Sequence, residues 1–252
     1  MANIQIIGKR NSKSCNAIST EADIQRYTGK KVDAIINYGL SGEYLELYFK
    51  KYPLIKDIPI INRFVGQSKY SAVKYVKQHG ILVPETKLFL SKTDEISDWI
   101  EKKVYSSQGI GIIAATKRDR ILGKYYQMMI KDRLYELRVH TFLWVPKKDW
   151  VVHKRTGPID QIAWNFHQGG HFQYMDTSNK VSIEARNISE KILSIIGMSF
   201  GAVDFIVDTS MRIYFIEVNS SPGFSEFSKN IYFDAMRKLK LLSVDEVIKF
   251  SQ

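Results

Sequence analysis

Tyr214 to Phe224 reads YFIEVNSSPGF: strand-forming residues carry Glu217, then Asn219 two positions on, and the run breaks at Ser220-Ser221-Pro222-Gly223. Upstream, AVDFIV (202–207) and IYFIEV (213–218) flank DTSMR (208–212). That polar segment is suited to reversing the chain, so the flanks are expected to pair as antiparallel strands. With the turn centred between Ser210 and Met211, Asp204 falls opposite Glu217, and like charges directly opposed destabilise a ladder. Strand side chains alternate with period two, which puts Asn219 on the face of Glu217. Three oxygen donors then collect in one place, and a hard divalent cation, magnesium or manganese rather than zinc, relieves the repulsion. The competing reading is a pair of solvent-facing charges near strand ends.

The 252 residues are 44% hydrophobic, enough for one large domain or two to three small ones. No apolar run approaches the roughly 20 residues of a membrane span, and IQII near the start lacks a cleavable signal pattern. We therefore expect a cytoplasmic protein without membrane association. A lone cysteine, Cys15, excludes an intramolecular disulfide framework and a cysteine-based zinc cluster. The net charge of +11, from 37 Lys and Arg against 26 Asp and Glu, draws anions. Nucleic acid, nucleotide phosphates and acidic peptides all satisfy it.

ANIQII, VDAIINYG and IPIIN read as short buried strands, with SGEYLELYFKKY (41–52) at helical spacing between the last two, giving a small α/β unit. KYSAVKYVKQHG (69–80) reads as a helix stopped by Gly80, ILVPETKLFL as extended, and SKTDEISDW (91–99) as a further helix. Strands are expected around KKVY, GIGIIAAT and YYQMMI. Glu136 to Val152 reads as a hairpin turning at Pro146 to Asp149. Gln168 to Lys180 has loop composition. VSIEARNISEKILSIIGM spaces Ile188, Ile192, Ile195 and Ile196 for a helix. Two more helices follow, the last with a capping box at Ser243 and Glu246.

SSQGIGI (106–112) lies between two extended segments. Its small residues let backbone N–H groups approach a phosphate chain, and its hydroxyls add donors. No Lys-Ser or Lys-Thr follows the last glycine, so it is not a P-loop. A glycine-containing structural hairpin is the alternative.

In order along the chain, QGIGI (108–112), ELR (136–138), NFHQGG (165–170) and EVNSSPG (217–223) resemble four motifs of the ATP-grasp family. The resemblance runs from about Arg63 to Phe224. It is nearest to the branch of the ribosomal-protein glutamate ligases, with glutathione synthetases and D-alanine ligases more distant. It implies an α/β (α+β) architecture: two α+β subdomains clasping ATP, over 63–130 and 131–252, preceded by a small α/β domain over 1–62.

Residue by residue, the resemblance implies Asp204, Glu217 and Asn219 as ligands of Mg2+ or Mn2+. It implies Lys69, eleven before Gly80, and Lys102, six before Gln108, as lysines on the nucleotide phosphates, with Lys103 a rival for the second. Ser106, Ser107, Gln108, Gly109 and Gly111 form the phosphate loop. Gln127, Met128, Met129 and Ile130 form the hinge over adenine, although a Met pair also suits core packing. Glu136 approaches nucleotide or metal. Arg138, on the same strand face, holds phosphate or the acidic substrate. Arg155 stands near the transferred phosphate; a solvated hairpin arginine is its bland alternative. Asn165 and His167 contact phosphate and metal, His167 alternatively being a structural histidine. Where the branch often has an arginine two before Asn165, this chain has Ala163, so glutamate as substrate is not implied.

The implied activity is an ATP-dependent carboxylate–amine ligase that works through an acyl phosphate and releases ADP and phosphate. Its implied partners are ATP, a carboxylate, and an amine from an amino acid, peptide or protein tail. The basic excess adds an acidic macromolecule as a candidate acceptor. Dimers and tetramers are common among such proteins, so the oligomeric state stays open. Two alternatives remain, a phosphotransferase on the same fold and a basic nucleic-acid-binding protein on an inactive scaffold.

Overall fold

The computed structural model describes residues 1–63, 68–105, 111–158, 161–162, 164, 170–224 and 228–251. The first sheet is parallel, in the order β1 (Ile4–Gly8), β2 (Ala34–Tyr38), β3 (Ile60–Ile61). Every residue of β1 and β2 is buried, as expected of near-continuous apolar strands when both faces of a parallel sheet are covered. α2 (Glu43–Lys51) forms where its spacing predicts, but none of its residues is buried. An unexpected helix, α1 (Lys13–Glu21), connects β1 to β2, and Ser12 caps it by accepting from the Cys15 N–H. Its weak apolar stripe, Cys15 and Ile18 alone being buried, is why no helical spacing stood out.

α3 (Lys69–Gln78) is capped by Ser68 and ends before Gly80, whose φ is +77°. The second sheet is antiparallel in the order β4 (Thr86–Lys87), β7 (Lys124–Met128), β5 (Trp99–Lys103), β6 (Ile113–Ala114). SKTDEISDW is not the helix expected: it is turns and one short 3-10 segment, Ile96–Asp98, leading into β5. Asp94 explains the difference, because its carboxylate accepts from Ser91 N–H at 2.7 Å, Ser91 Oγ at 2.8 Å and Lys87 Nζ at 2.7 Å. Such local side-chain bonds compete with helical ones.

The third sheet is antiparallel, ordered β10 (His171–Tyr174), β9 (Val152–Thr156), β8 (Arg133–Phe142), β11 (Phe200–Asp208), β12 (Ile213–Asn219). β8 and β9 make the expected hairpin, with a 3-10 turn at Lys147–Asp149. The segment read as loop from Gln168 to Lys180 contains β10, paired with β9 from His171 opposite Thr156 to Tyr174 opposite His153. All four residues of β10 are exposed or half-buried, so its polar composition reflects an edge strand. α4 (Lys180–Ile196) runs from the cap Asn179 to Gly197 at φ +74°. α5 (Lys229–Lys240) and α6 (Val244–Ile248) follow, the latter with the predicted capping box of Ser243 and Glu246.

One core unites the first and third sheets. Ile4, Ile6 and Ile36 pack in a single cluster with Val73 and Val76 of α3, Leu137, Val203 and Phe215 of the third sheet, and Met236 and Leu239 of α5. The second sheet keeps a separate small core of Leu90, Trp99, Ala115 and Tyr126. The end of β2 also holds the segment after β12. Tyr38 Oη donates to the Pro222 carbonyl at 2.7 Å, and Gly39, at φ +80°, lies so close to Ser221 that an added Cβ would stand 2.2 Å from Ser221 Oγ. Only glycine satisfies both the conformation and the contact.

Candidate active site

Asp204 does stand opposite Glu217, by a route the sequence reading missed. The hairpin pairs Val207 with Ile213, Ile206 with Tyr214 and Phe205 with Phe215, so its turn centres on Ser210 itself. Continued regularly, that ladder would set Asp204 against Ile216 and Glu217 against Val203, a core residue. A bulge at Ile216 adds the missing residue and moves Glu217 to the Asp204 face. Asn219, opposite Ala202, stays in phase with Glu217, and its Nδ2 donates to Glu217 Oε1 at 3.1 Å.

A cross-strand row spans the whole sheet: Tyr174, His153, Arg138, Asp204 and Glu217, each opposite the next from β10 to β12. Within it Arg138 grips Asp204 through Nε to Oδ1 and Nη2 to Oδ2, both at 2.7 Å. Burial alone would raise the Asp204 carboxyl, but the Arg138 guanidinium carries it below its ordinary value. In the adjacent row Arg155 faces Glu136. Its Nη1 donates to Glu136 Oε2 at 3.0 Å, and its Nη2 lies 3.7 Å from Asp204 Oδ1. Arg133 takes the other oxygen of Glu136 at 2.9 Å. Burial nevertheless keeps the Glu136 carboxyl above its ordinary value, against the pull of Arg155 and Arg133.

Two lysines approach from the other elements. Lys69, the first residue of α3, places Nζ 2.5 Å from Glu217 Oε2. Burial would raise Glu217, and Lys69 leads the attractions that bring it below its ordinary value. Lys102, on β5, is buried at 3% exposure and donates to Gln127 Oε1 at 2.9 Å. Burial pushes its ammonium down to about 8, against the pull of Glu217. Lys103 points the other way, its stem lying along Gly111. Of the two, Lys102 faces the cluster.

Along the expected hinge, the N–H groups of Met128 and Met129 donate to the carbonyls of Glu85 and Asp98, each at 2.8 Å. The Ile130 carbonyl accepts from the Arg133 N–H at 3.3 Å. These bonds fix the strand beside Lys102, and the Met128 side chain packs on the second sheet's core. Ser106, Ser107, Gln108, Gly109, Asn165 and His167 lie outside the described residues.

Five cationic groups, Lys69, Lys102, Arg133, Arg138 and Arg155, therefore surround three carboxylates, Glu136, Asp204 and Glu217. The excess is positive, which suits a polyphosphate. Among the described residues no three His, Cys, Asp or Glu side chains converge as a metal cage. The donor set on the β11–β12 face is two carboxylates and an amide, hard oxygen ligands that fit magnesium or manganese.

Several residues of the site went unread in the sequence. His140 and His153 form a buried pair, Nε2 to Nδ1 at 3.1 Å, and His140 Nδ1 meets Tyr232 Oη at 2.9 Å. Burial, aided by the Arg138 and Arg155 charges, holds both histidines neutral, His153 falling to about 4. Among the described residues His153 Nε2, Arg155 Nε and Tyr125 Oη are buried without a hydrogen-bond partner. A signal existed in ELRVH, where every second residue of an otherwise apolar strand is polar.

This is the fold of the ATP-grasp ligases. D-alanine–D-alanine ligase from Bacillus anthracis complexed with ATP matches with a TM-score of 0.61 at 13% identity, over 98% of this chain and 96% of that one. The ATP-grasp ligase PsnB, complexed with minimal precursor, Mg and ADP, matches with a TM-score of 0.61 at 13% identity, over 99% and 97%. The macrocyclase MdnC from Microcystis aeruginosa MRC, bound with precursor peptide MdnA, gives 0.58 at 13% identity, over 95% and 99%. Residues 66–242 match the RimK-like ATP-grasp domain, and the chain belongs to that family. It is accordingly an ATP-dependent ligase of the ATP-grasp class. No curated protein matches it in sequence.

Proposed function

We propose that the chain joins an amino acid or peptide carboxylate to an amine through an acyl phosphate, with Asp204, Glu217 and Asn219 holding the cation and Lys69, Lys102, Arg138 and Arg155 receiving phosphate. The observation that carries this reading is the row in which Arg138, Asp204 and Glu217 face one another beside Lys69 and Arg155. A carboxylate is a poor electrophile, so its oxygen must first attack the phosphorus of the terminal phosphoryl group of ATP, breaking the bond to the bridging oxygen and releasing ADP as the acyl phosphate forms. The side chains that neutralise that group in line with the attack lower the barrier. When bound, magnesium supplies further neutralisation of the phosphate charge. Lys102 and Arg155, buried and fixed by Gln127 and Glu136, supply positive charge that needs no reorganisation. The amine nitrogen then attacks the acyl carbon, and the carbon–oxygen bond to phosphate breaks. Water must be kept out meanwhile, since an acyl phosphate hydrolyses.

A peptide substrate draws support from PsnB and MdnC, both seen with precursor peptides. An acidic acceptor is the reading of the +11 charge, and a salt series on acceptor affinity tests it. The three units 1–62, 63–130 and 131–252 are likewise our division, though α3 shares its core with the first and third sheets. Among the described residues no helix is long and apolar enough to cross a membrane. Cys15, free and buried, accords with a reducing cytoplasm.

The test is incubation with ATP, magnesium and pooled amino acids and acidic peptides, following phosphate release and product masses together. Release that is lost in Glu217→Ala and accompanies a product one water lighter than its two substrates supports the reading. Phosphorylated substrate without phosphate release overturns it in favour of a phosphotransferase.

A further inference from the structure

Each carboxylate of the site is matched to a cation of the chain itself. Glu217 has Lys69 at 2.5 Å, Asp204 has both arms of Arg138 at 2.7 Å, and Glu136 has Arg133 and Arg155. Asn219 is also satisfied internally, turning its amide nitrogen to Glu217. Yet Glu217 and Asp204 are the side chains proposed above to hold a divalent cation, and Lys69 and Arg138 are among those proposed to receive phosphate. Both sets of partners cannot be engaged together.

A cation arriving alone must separate an ammonium and a guanidinium from two buried carboxylates and leave those charges without partners. Lys69 and Glu217 are only 15% and 18% exposed, Arg138 and Asp204 23% and 10%. In such surroundings an uncompensated charge is strongly disfavoured. A nucleotide changes the balance, because its phosphate oxygens receive the displaced cations while the carboxylates pass to the metal. The two residues differ in how they could move. Arg138 sits mid-sheet on β8 with its fork held at two points. Lys69 sits at the start of a helix, its own N–H tied to the Val104 carbonyl at 3.2 Å, with a flexible four-carbon stem.

We propose that Lys69 is a resident counter-ion of Glu217 that makes divalent-cation binding conditional on nucleotide, transferring from carboxylate to phosphate as the two ligands enter together. Arg138 serves Asp204 in the same sense with less movement. The inference rests on the metal assignment proposed above. By linkage, cation and nucleotide then raise each other's affinity by one common factor.

Mn2+ is the probe, with the free ion followed by electron paramagnetic resonance on the full chain. Wild type is compared without nucleotide with Lys69→Met, Lys69→Gln and the double variant Lys69→Met/Glu217→Gln, each checked for folding by thermal unfolding. Removing the resident cation should tighten nucleotide-free Mn2+ binding by about tenfold or more, and the Glu217→Gln change should erase that gain. Calorimetry of ADP with and without Mn2+ should show a coupling factor in wild type that shrinks in both Lys69 variants. If wild type binds Mn2+ with ADP but neither Lys69 variant binds the bare ion more tightly, the inference is overturned and the metal assignment stands. If wild type holds no Mn2+ even with ADP, the assignment fails and the inference falls with it.

Discussion

Arg138 and Asp204 are joined across β8 and β11 by two hydrogen bonds of 2.7 Å, one to each carboxylate oxygen. Arg138→Met would leave a buried carboxylate without its main partner. The expected loss is about 3–5 kcal/mol of folding stability by urea unfolding. Millimolar magnesium should restore part of it, because the cation can replace the missing charge. A loss within experimental error would mean that the pair contributes nothing to the fold.

Lys102 and Lys103 are neighbours with opposite surroundings, and their variants should separate cleanly. Lys102→Met should weaken ADP binding in magnesium by roughly tenfold or more, since a charge-assisted contact is lost, whereas Lys103→Met should leave it unchanged. The pH dependence has a definite sign. With its ammonium depressed to about 8, Lys102 loses its proton as pH rises past that value, so nucleotide affinity should fall there. Stability from this group moves oppositely, rising from about pH 8 to the ordinary lysine value, where only the unfolded chain still holds the proton. Calorimetry and unfolding against pH, each compared with Lys102→Met, check the two limbs.

The buried histidine pair gives a second pH signature. His153 stays neutral until about pH 4, whereas in the unfolded chain it takes a proton near its ordinary value of 6.5. The unfolded state therefore binds more protons between those limits, and stability should fall as pH drops through them. The His153 share is on the order of 3 kcal/mol. His153→Gln should flatten this slope. An unchanged slope would place the acid sensitivity elsewhere.

Gly39 ties β2 to the segment after β12, and Gly39→Ala combines a positive φ with contact on Ser221. Destabilisation of about 1–3 kcal/mol is expected. Gly39→Ala/Ser221→Gly should recover the part due to the clash, leaving the backbone term. Full additivity of the two changes would show that the contact is not felt.

The meeting of Asp204, Glu217 and Asn219 on one face, with Arg138 of the ELR segment beside them, was legible because motif order and strand alternation point the same way. What escaped was set by tertiary context. α1 carries too narrow an apolar stripe to announce itself, and β10 is a polar strand at the sheet edge, paired with β9. SKTDEISDW has helical composition, but Asp94 spends its carboxylate on Ser91 and Lys87 instead. His140 and His153 are thirteen positions apart, and only the hairpin register brings their rings together. Lys103 stood as a rival to Lys102 in the sequence, and burial separates them, Lys102 being enclosed and Lys103 exposed.

The bulge at Ile216 gives β12 two reading frames. Phe215, Tyr214 and Ile213 keep one parity with β11, and Glu217, Val218 and Asn219 keep another. Parity, rather than identity, decides whether a carboxylate at this end of the strand meets the reaction or the core. Deleting Ile216 would merge the frames and still leave Glu217 opposite Asp204. Deleting one residue from the turn would set both halves of the strand out of phase together. In this hairpin, length errors are therefore unequal: one position can absorb a change in spacing, and its neighbours cannot.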